Sequence, residues 1–451
     1  MPSTRSATPH VVGRRNPFIP ILAIVAVVAG VLALIIWSRR PPPPPTQPKV
    51  SGEVPPARVR VVIDASASMA GYFNGKTEFK DFLAQLIPGL PKYLSLNQKP
   101  PEMSYAFAGA PPQLLTPYEG STQTLISDIL NNKIPAGGSS MLQDVLGEIK
   151  NTIRSDEVDF LLTDGIFSYS NAEIKKKPDI NKINIEGLAA LVQEVFQHQD
   201  WGEKKIKPGL AILQYLSHFQ GTYFTFNNTR LACCDGPRPF YLWIIGDAKR
   251  VASTFAAIRQ IPDLEPRHAV LLGQTSLKPD PRVLNYSNRS GTWIRGRKNR
   301  LTLQQVPARG PAQVTIALNL SDLPADVLKE DYVLKHLDIK ADFATLAAKG
   351  FWTRAQAESK LNARDVEDLN LATHFLVLDI KTMELETASV SVALRDDLPP
   401  WSQESTTDDD MATNDPEAKP QTFGFLPIVK GAFRALHGNE PLLQFQLTLE
   451  R

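Results

Sequence analysis

The chain has 451 residues, with 49 Lys and Arg against 47 Asp and Glu, a net charge of +2, and 43% hydrophobic residues. That length fits two or three domains, and the apolar content is enough for a sizeable core, which excludes a wholly disordered chain. The only cysteines, Cys233 and Cys234, are adjacent and read as small residues in a turn, which excludes a disulfide framework; the near-balanced charge argues neither for nor against nucleic acid.

Residues 1–17 form a short basic tail with Arg5, Arg14 and Arg15. Residues 18–37 are an uncharged apolar run of bilayer-spanning length, closed by Trp37 and the basic pair Arg39 and Arg40. No small-residue cleavage pattern follows, so this stretch is expected to be an uncleaved transmembrane helix, with the globular part on the extracytoplasmic side. Residues 38–56 are a proline-rich linker, in which Pro41 to Pro45 form a stiff polyproline spacer.

From 57 to 262 strands and helices alternate. Val59 to Ile63 is β-branched and apolar, the pattern of a buried central strand. Asp64, Ser66 and Ser68 follow at alternate positions, so an extended segment would point all three side chains the same way at the strand's carboxyl end. Open α/β sheets bind ligands at that end, and three hard oxygen groups suit Mg²⁺ or Mn²⁺. Thr77 to Leu86 reads as a helix, Met103 to Ala108 as a strand and Thr122 to Leu130 as a helix. Gly137 to Ser140 opens a further helix with Leu142, Val145, Leu146 and Ile149 on one face. Phe160 to Leu162 is a second apolar strand, ending in Thr163, Asp164 and Gly165. A helix over Glu186 to His198, strands over Leu210 to Leu216 and Phe240 to Gly246, and a helix over Ala248 to Ile261 capped by Asp247 complete the region. The long connection Gly221 to Arg238 contains an inserted hairpin strand at 222–226. The alternation specifies a doubly wound, mostly parallel sheet with helices on both faces.

Asp64, Ser66 and Ser68 after the first strand, Ser140 (or Ser139) on a middle loop, and Asp164 in a TDG stretch together resemble the von Willebrand factor A (VWA) family and its metal-ion-dependent adhesion site. Leu146 lies six residues after Ser140, which favours Ser140 over Ser139 as the match. Ala67 stands where the family usually has Gly, and Ser140 where Thr is more common; neither change removes a ligand oxygen. The resemblance implies Mg²⁺ or Mn²⁺ held by Asp64, Ser66, Ser68, Ser140 and Asp164, completed by a Glu or Asp from a partner protein.

From 263 to 451 the texture is β-rich. Strands are expected at Ala269 to Leu272, Arg300 to Gln304, Gln313 to Leu320, His374 to Ile380, Ser389 to Leu394 and Leu443 to Leu449, and helices at Thr353 to Leu361 and Leu426 to Leu436. Several strands alternate apolar and polar residues, as in a sandwich-like antiparallel sheet. Acidic residues from Asp396 to Glu417 lack the spacing and glycine of a calcium loop, so 402–420 is expected to be a mobile surface loop. Arg295, Arg297, Lys298 and Arg300 beside Trp293 form too short a basic cluster, with one aromatic, to indicate nucleic acid.

No HExxH, GxSxG or Walker A pattern occurs, and position 66 is Ser where an aspartyl-phosphate phosphatase needs a second carboxylate. The expected function is therefore divalent-cation-dependent protein binding or assembly by a membrane-anchored, non-enzymatic protein. Two alternatives remain: a structural scaffold of an envelope complex with an empty metal site, and a metal-dependent hydrolase, which needs a His, Lys or Glu base converging on the same carboxylates.

Overall fold

A computed structural model describes residues 54–451 except 96–98, 110–111, 135–137, 139–140, 167–168, 170, 198–200, 203–205, 274–276, 285, 288–289, 296–299, 306–310, 322, 324, 358, 361, 367–371, 396, 412–419 and 438–440. The membrane segment expected at 18–37 and the proline spacer lie outside the described residues; among those described, no helix is long and apolar enough to cross a membrane.

The first strand, β1 (Arg58–Asp64), is followed by α1 (Glu78–Tyr93), whose amino end is capped by Thr77 accepting from the Lys80 N–H. α1 runs past the expected stop although Pro88 and Pro91 each remove a backbone donor. Its apolar face explains why: Leu83, Ile87 and Leu90 continue the helical spacing and are fully buried. Next come β2 (Glu102–Ala108), β3 (Leu115–Pro117), α2 (Thr122–Leu130), α3 (Leu142–Thr152), β4 (Glu157–Thr163) and α4 (Ile185–Gln197). Then follow β5 (Pro208–Phe224), β6 (Arg230–Asp247), α5 (Ala248–Ile258) and β7 (His268–Leu272).

These strands make a seven-stranded sheet in the order β3-β2-β1-β4-β6-β5-β7. It is parallel at its centre, where β1 pairs with β2 and β4, and antiparallel at every other ladder. Alternation along β1 sends Val61 and Ile63 to one face and Val62 to the other, each into a separate helix-covered core. Arg60 on β1 lies opposite Asp159 on β4 in register, and the part-exposed guanidinium pairs with the buried carboxylate. Burial outweighs that partner and holds the Asp159 carboxyl up at about 6.

The antiparallel part departs from the doubly wound expectation for a local reason. β5 does not cross over to a helix; it turns back at once through 225–229, where Asn228 adopts φ 60° and the Thr225 hydroxyl bonds within the turn. The expected inserted strand and the two flanking strands are thus one long hairpin, interrupted by a bulge between Phe219 and Gly221. Cys233 and Cys234 lie in β6, not in a turn.

The remaining chain contributes β8 (Arg282–Val283), β9 (Thr292–Arg295), β10 (Arg300–Gln305), β11 (Ala312–Leu318), β12 (Leu337–Ala341), β13 (Ala344–Thr353), β14 (His374–Met383) and β15 (Thr387–Leu394). β16 (Thr406–Thr407), β17 (Thr422–Phe423), α6 (Phe425–Leu436) and β18 (Leu443–Glu450) complete it. Two sheets, β12-β15-β18-β10-β9 and β13-β14-β11-β8, share one core in which Val314, Ile316 and Leu378 meet Val390, Val392 and Leu447. This is the expected β-rich sandwich, antiparallel except where β10 pairs with β18. The helix expected over 353–361 is a single turn, Arg354–Ala357, because β13 runs through Thr353.

The α/β layer takes in residues beyond 262. β7, expected among the sandwich strands, is the edge strand of the first sheet, paired with β5. Trp401, Phe425, Ile428, Val429 and Ala432 share a core with Val62, Leu161 and Trp243. α6 lies so close on α4 that a Cβ at Gly431 would stand 2.2 Å from the Ala189 carbonyl oxygen. The acidic stretch, expected as a mobile surface loop, is anchored in its described part. Asp410 is buried, accepting from the Tyr223 hydroxyl at 2.9 Å and the Phe226 N–H at 3.0 Å.

Candidate functional site

β1 and β4 are neighbours in register, Ile63 opposite Leu162, so Asp64 and Thr163 end the two strands side by side. The Thr163 hydroxyl donates to Asp64 Oδ2 at 2.8 Å and accepts from the Gly165 N–H at 3.1 Å. This buried threonine therefore ties the first strand's carboxylate to the loop that carries the second. Asp64 and Asp164 are themselves buried, at 1% and 3% exposure.

The two serines come together by a different route from strand alternation. The chain leaves extended geometry after Ser66, and Ala67–Met69 is a 3₁₀ turn. The Ser66 N–H donates to Asp64 Oδ1 at 2.9 Å, and that Asx-type turn brings the Ser66 and Ser68 hydroxyls to 3.0 Å. The Ala67 N–H donates to the Gly138 carbonyl at 3.1 Å, so the chain entering Ser139 and Ser140 lies against the same turn. Ser139 and Ser140 themselves lie outside the described residues.

On the β4 side, the Ile166 N–H donates to Asp164 Oδ1 at 3.0 Å. Gly165 adopts φ +74°, and a Cβ there would stand 2.9 Å from the Tyr241 ring, so both backbone and space demand glycine. Tyr241 is fixed in turn: its hydroxyl donates to Thr422 Oγ1 at 3.0 Å and accepts from the Gln214 amide at 3.2 Å, and its ring stacks on Phe425 at 4.3 Å.

Burial, and then the charge of Asp64, push the Asp164 carboxyl up to about 7; the Ser68 hydroxyl, the Ile166 N–H and the Arg238 guanidinium oppose the rise. Two mutually repelling buried carboxylates with two hydroxyls beside them make an all-oxygen donor set of the kind hard divalent cations prefer. A divalent cation would relieve both the repulsion and the burial cost, so Asp64, Ser66, Ser68 and Asp164 fit such an ion. Among the described residues no group of three or more His, Cys, Asp or Glu gathers to hold a metal, and this site brings only two carboxylates.

Sequence reasoning missed three contributors. Thr163 stood inside the quoted TDG stretch, but its role needs the β1–β4 register. Arg238 and Thr422 carry no local signal, since hairpin pairing and the C-terminal return of the chain bring them to the loop. No protein-family model, curated protein or solved structure matches this chain.

Proposed function

We propose that this chain is a membrane-anchored protein with a VWA-like domain, and that it binds or assembles with a partner protein through a divalent cation. Asp64 and Asp164 supply the charge, Ser66, Ser68 and Ser140 the neutral oxygens, and Mg²⁺ or Mn²⁺ is the ion. A Glu or Asp of the partner completes the shell. The observation that carries this reading is the pairing of two buried carboxylates and two hydroxyls at the carboxyl ends of adjacent parallel strands. Few charged ligands leave the ion electrophilic towards a further carboxylate, which suits binding rather than hydrolysis. Residues 18–37 anchor the chain in a single pass, with the globular part extracytoplasmic.

The test is recovery of partner proteins on an immobilised 50–451 fragment with Mg²⁺ and with EDTA, alongside Asp64→Ala. Recovery that needs Mg²⁺ and is lost in the variant supports the proposal. Recovery that survives EDTA assigns the protein to scaffolding instead.

A further inference from the structure

The acidic stretch and the chain beyond it are tied to the α/β layer at four points. Asp410 receives the Tyr223 hydroxyl and the Phe226 N–H, both from the β5–β6 hairpin. Phe423 stacks on Phe226 at 5.5 Å. Arg238, buried with its guanidinium 4.4 Å above the Tyr223 ring, donates to the Gln421 carbonyl at 3.2 Å. Thr422 accepts from Tyr241, and its hydroxyl stands 3.5 Å from the Asp164 carbonyl oxygen. Two short pieces of this segment, β16 and β17, pair in parallel and close it on itself.

This segment ends against the Asp164 loop. Tyr241 forms the wall of Gly165, and Thr422 and Phe425 set the position of Tyr241. A buried carboxylate, a buried guanidinium and a buried threonine are costly to desolvate unless each is paired, so the separate bonds each makes between the segment and the β5–β6 hairpin fix one seating of the segment.

We infer that residues 405–411 and 420–425 form a strap that positions the Asp164–Gly165 loop, with Thr422 as a positioning residue for the cation site. Resting on the cation reading above, this makes the site a joint product of both halves of the chain. Asp164 presents its carboxylate to the ion only while Tyr241 holds Gly165 in its left-handed turn. Tyr241 in turn holds only while the strap is seated.

The experiment compares Thr422→Val and Thr422→Ser with wild type in the full-length protein. It has two readouts: amide exchange at Gly165 and Ile166 without metal, and calorimetric titration with MnCl₂. Thr422→Val keeps the shape and removes the hydroxyl; exchange at the two amides should rise by about tenfold, the weight of one buried hydrogen bond. Mn²⁺ affinity should fall roughly tenfold, as for other residues that orient metal ligands. Thr422→Ser should restore both. Should Thr422→Val not fold, Asp410→Ala unseats the strap further from the loop and should move the same two readouts. Wild-type exchange in the Val variant, or faster exchange with unchanged Mn²⁺ affinity, overturns the inference. A wild-type protein that takes up no Mn²⁺ removes the cation reading alone, and the exchange comparison still decides whether the strap holds the loop.

Discussion

Replacing Asp164 by Asn should stabilise the metal-free protein while destroying its response to divalent cations. Asn keeps an oxygen to accept from the Ile166 N–H and the Ser68 hydroxyl, so the loop retains its bonds. What the change removes is a charge that the fold disfavours. Holding a carboxyl at about 7 against an ordinary 3.8 corresponds to an upper limit of roughly 4 kcal/mol at and above pH 7. Coupling to Asp64 and local relaxation reduce the expected gain to about 1–3 kcal/mol. The sign follows from the raised folded value. Below pH 4 both states are protonated and Asp164 costs nothing. Between about 4 and 7 the unfolded chain releases its proton first, so wild type loses stability as pH rises through that window, and above it the loss is complete. Urea unfolding of both proteins at pH 4, 5.5 and 8 in EDTA, with the difference taken at each pH, isolates this group from the other titrating acids. Adding MgCl₂ at pH 8 should raise the midpoint of wild type and leave the variant unmoved. A variant less stable than wild type at pH 8 in EDTA, or a difference independent of pH, refutes the argument.

Ser66→Ala and Ser68→Ala should each weaken Mn²⁺ binding by a smaller step than Asp64→Ala, since each removes a neutral oxygen and not a charge; Ser140→Ala should act similarly and Ser139→Ala least. Calorimetric titration ranks them, and heats for Asp64→Ala equal to wild type would mean the site is elsewhere. Phe425→Ala should cost about 3–5 kcal/mol in denaturant unfolding, because the ring is fully buried in the α/β core against Tyr241 and Trp401. A cost under 1 kcal/mol would show that α6 is not part of that core. The full-length protein should stay in membranes through a carbonate wash, and a chain lacking residues 18–37 should not; release of the full-length protein would remove the anchor.

Local periodicity decided much of this protein. β1, β4, α2, α3 and the sandwich strands β11, β14, β15 and β18 were legible because each has an apolar face that only one period can bury, and the cap Asp247 marked a helix start. Asp64, Ser66, Ser68 and Asp164 were legible because polar residues follow an abrupt end of apolar strands. Residues brought together from afar were not. The turn-back of β5 into β6 made the expected long connection and its inserted strand part of one antiparallel hairpin, a pairing direction that two apolar runs do not encode. Asp410 looked like solvated charge, since its composition gives no hint of the Tyr223 hydroxyl and Phe226 N–H waiting to pair with it. Thr422 sits 258 residues from Asp164, and no pattern of sequence spacing encodes that approach. Side-chain period is a property of neighbouring residues, so the sequence alone determined which strands end in carboxylates and hydroxyls. Which distant residues desolvate and brace those groups depends on how the sheets and helices pack, and only the tertiary structure decided it.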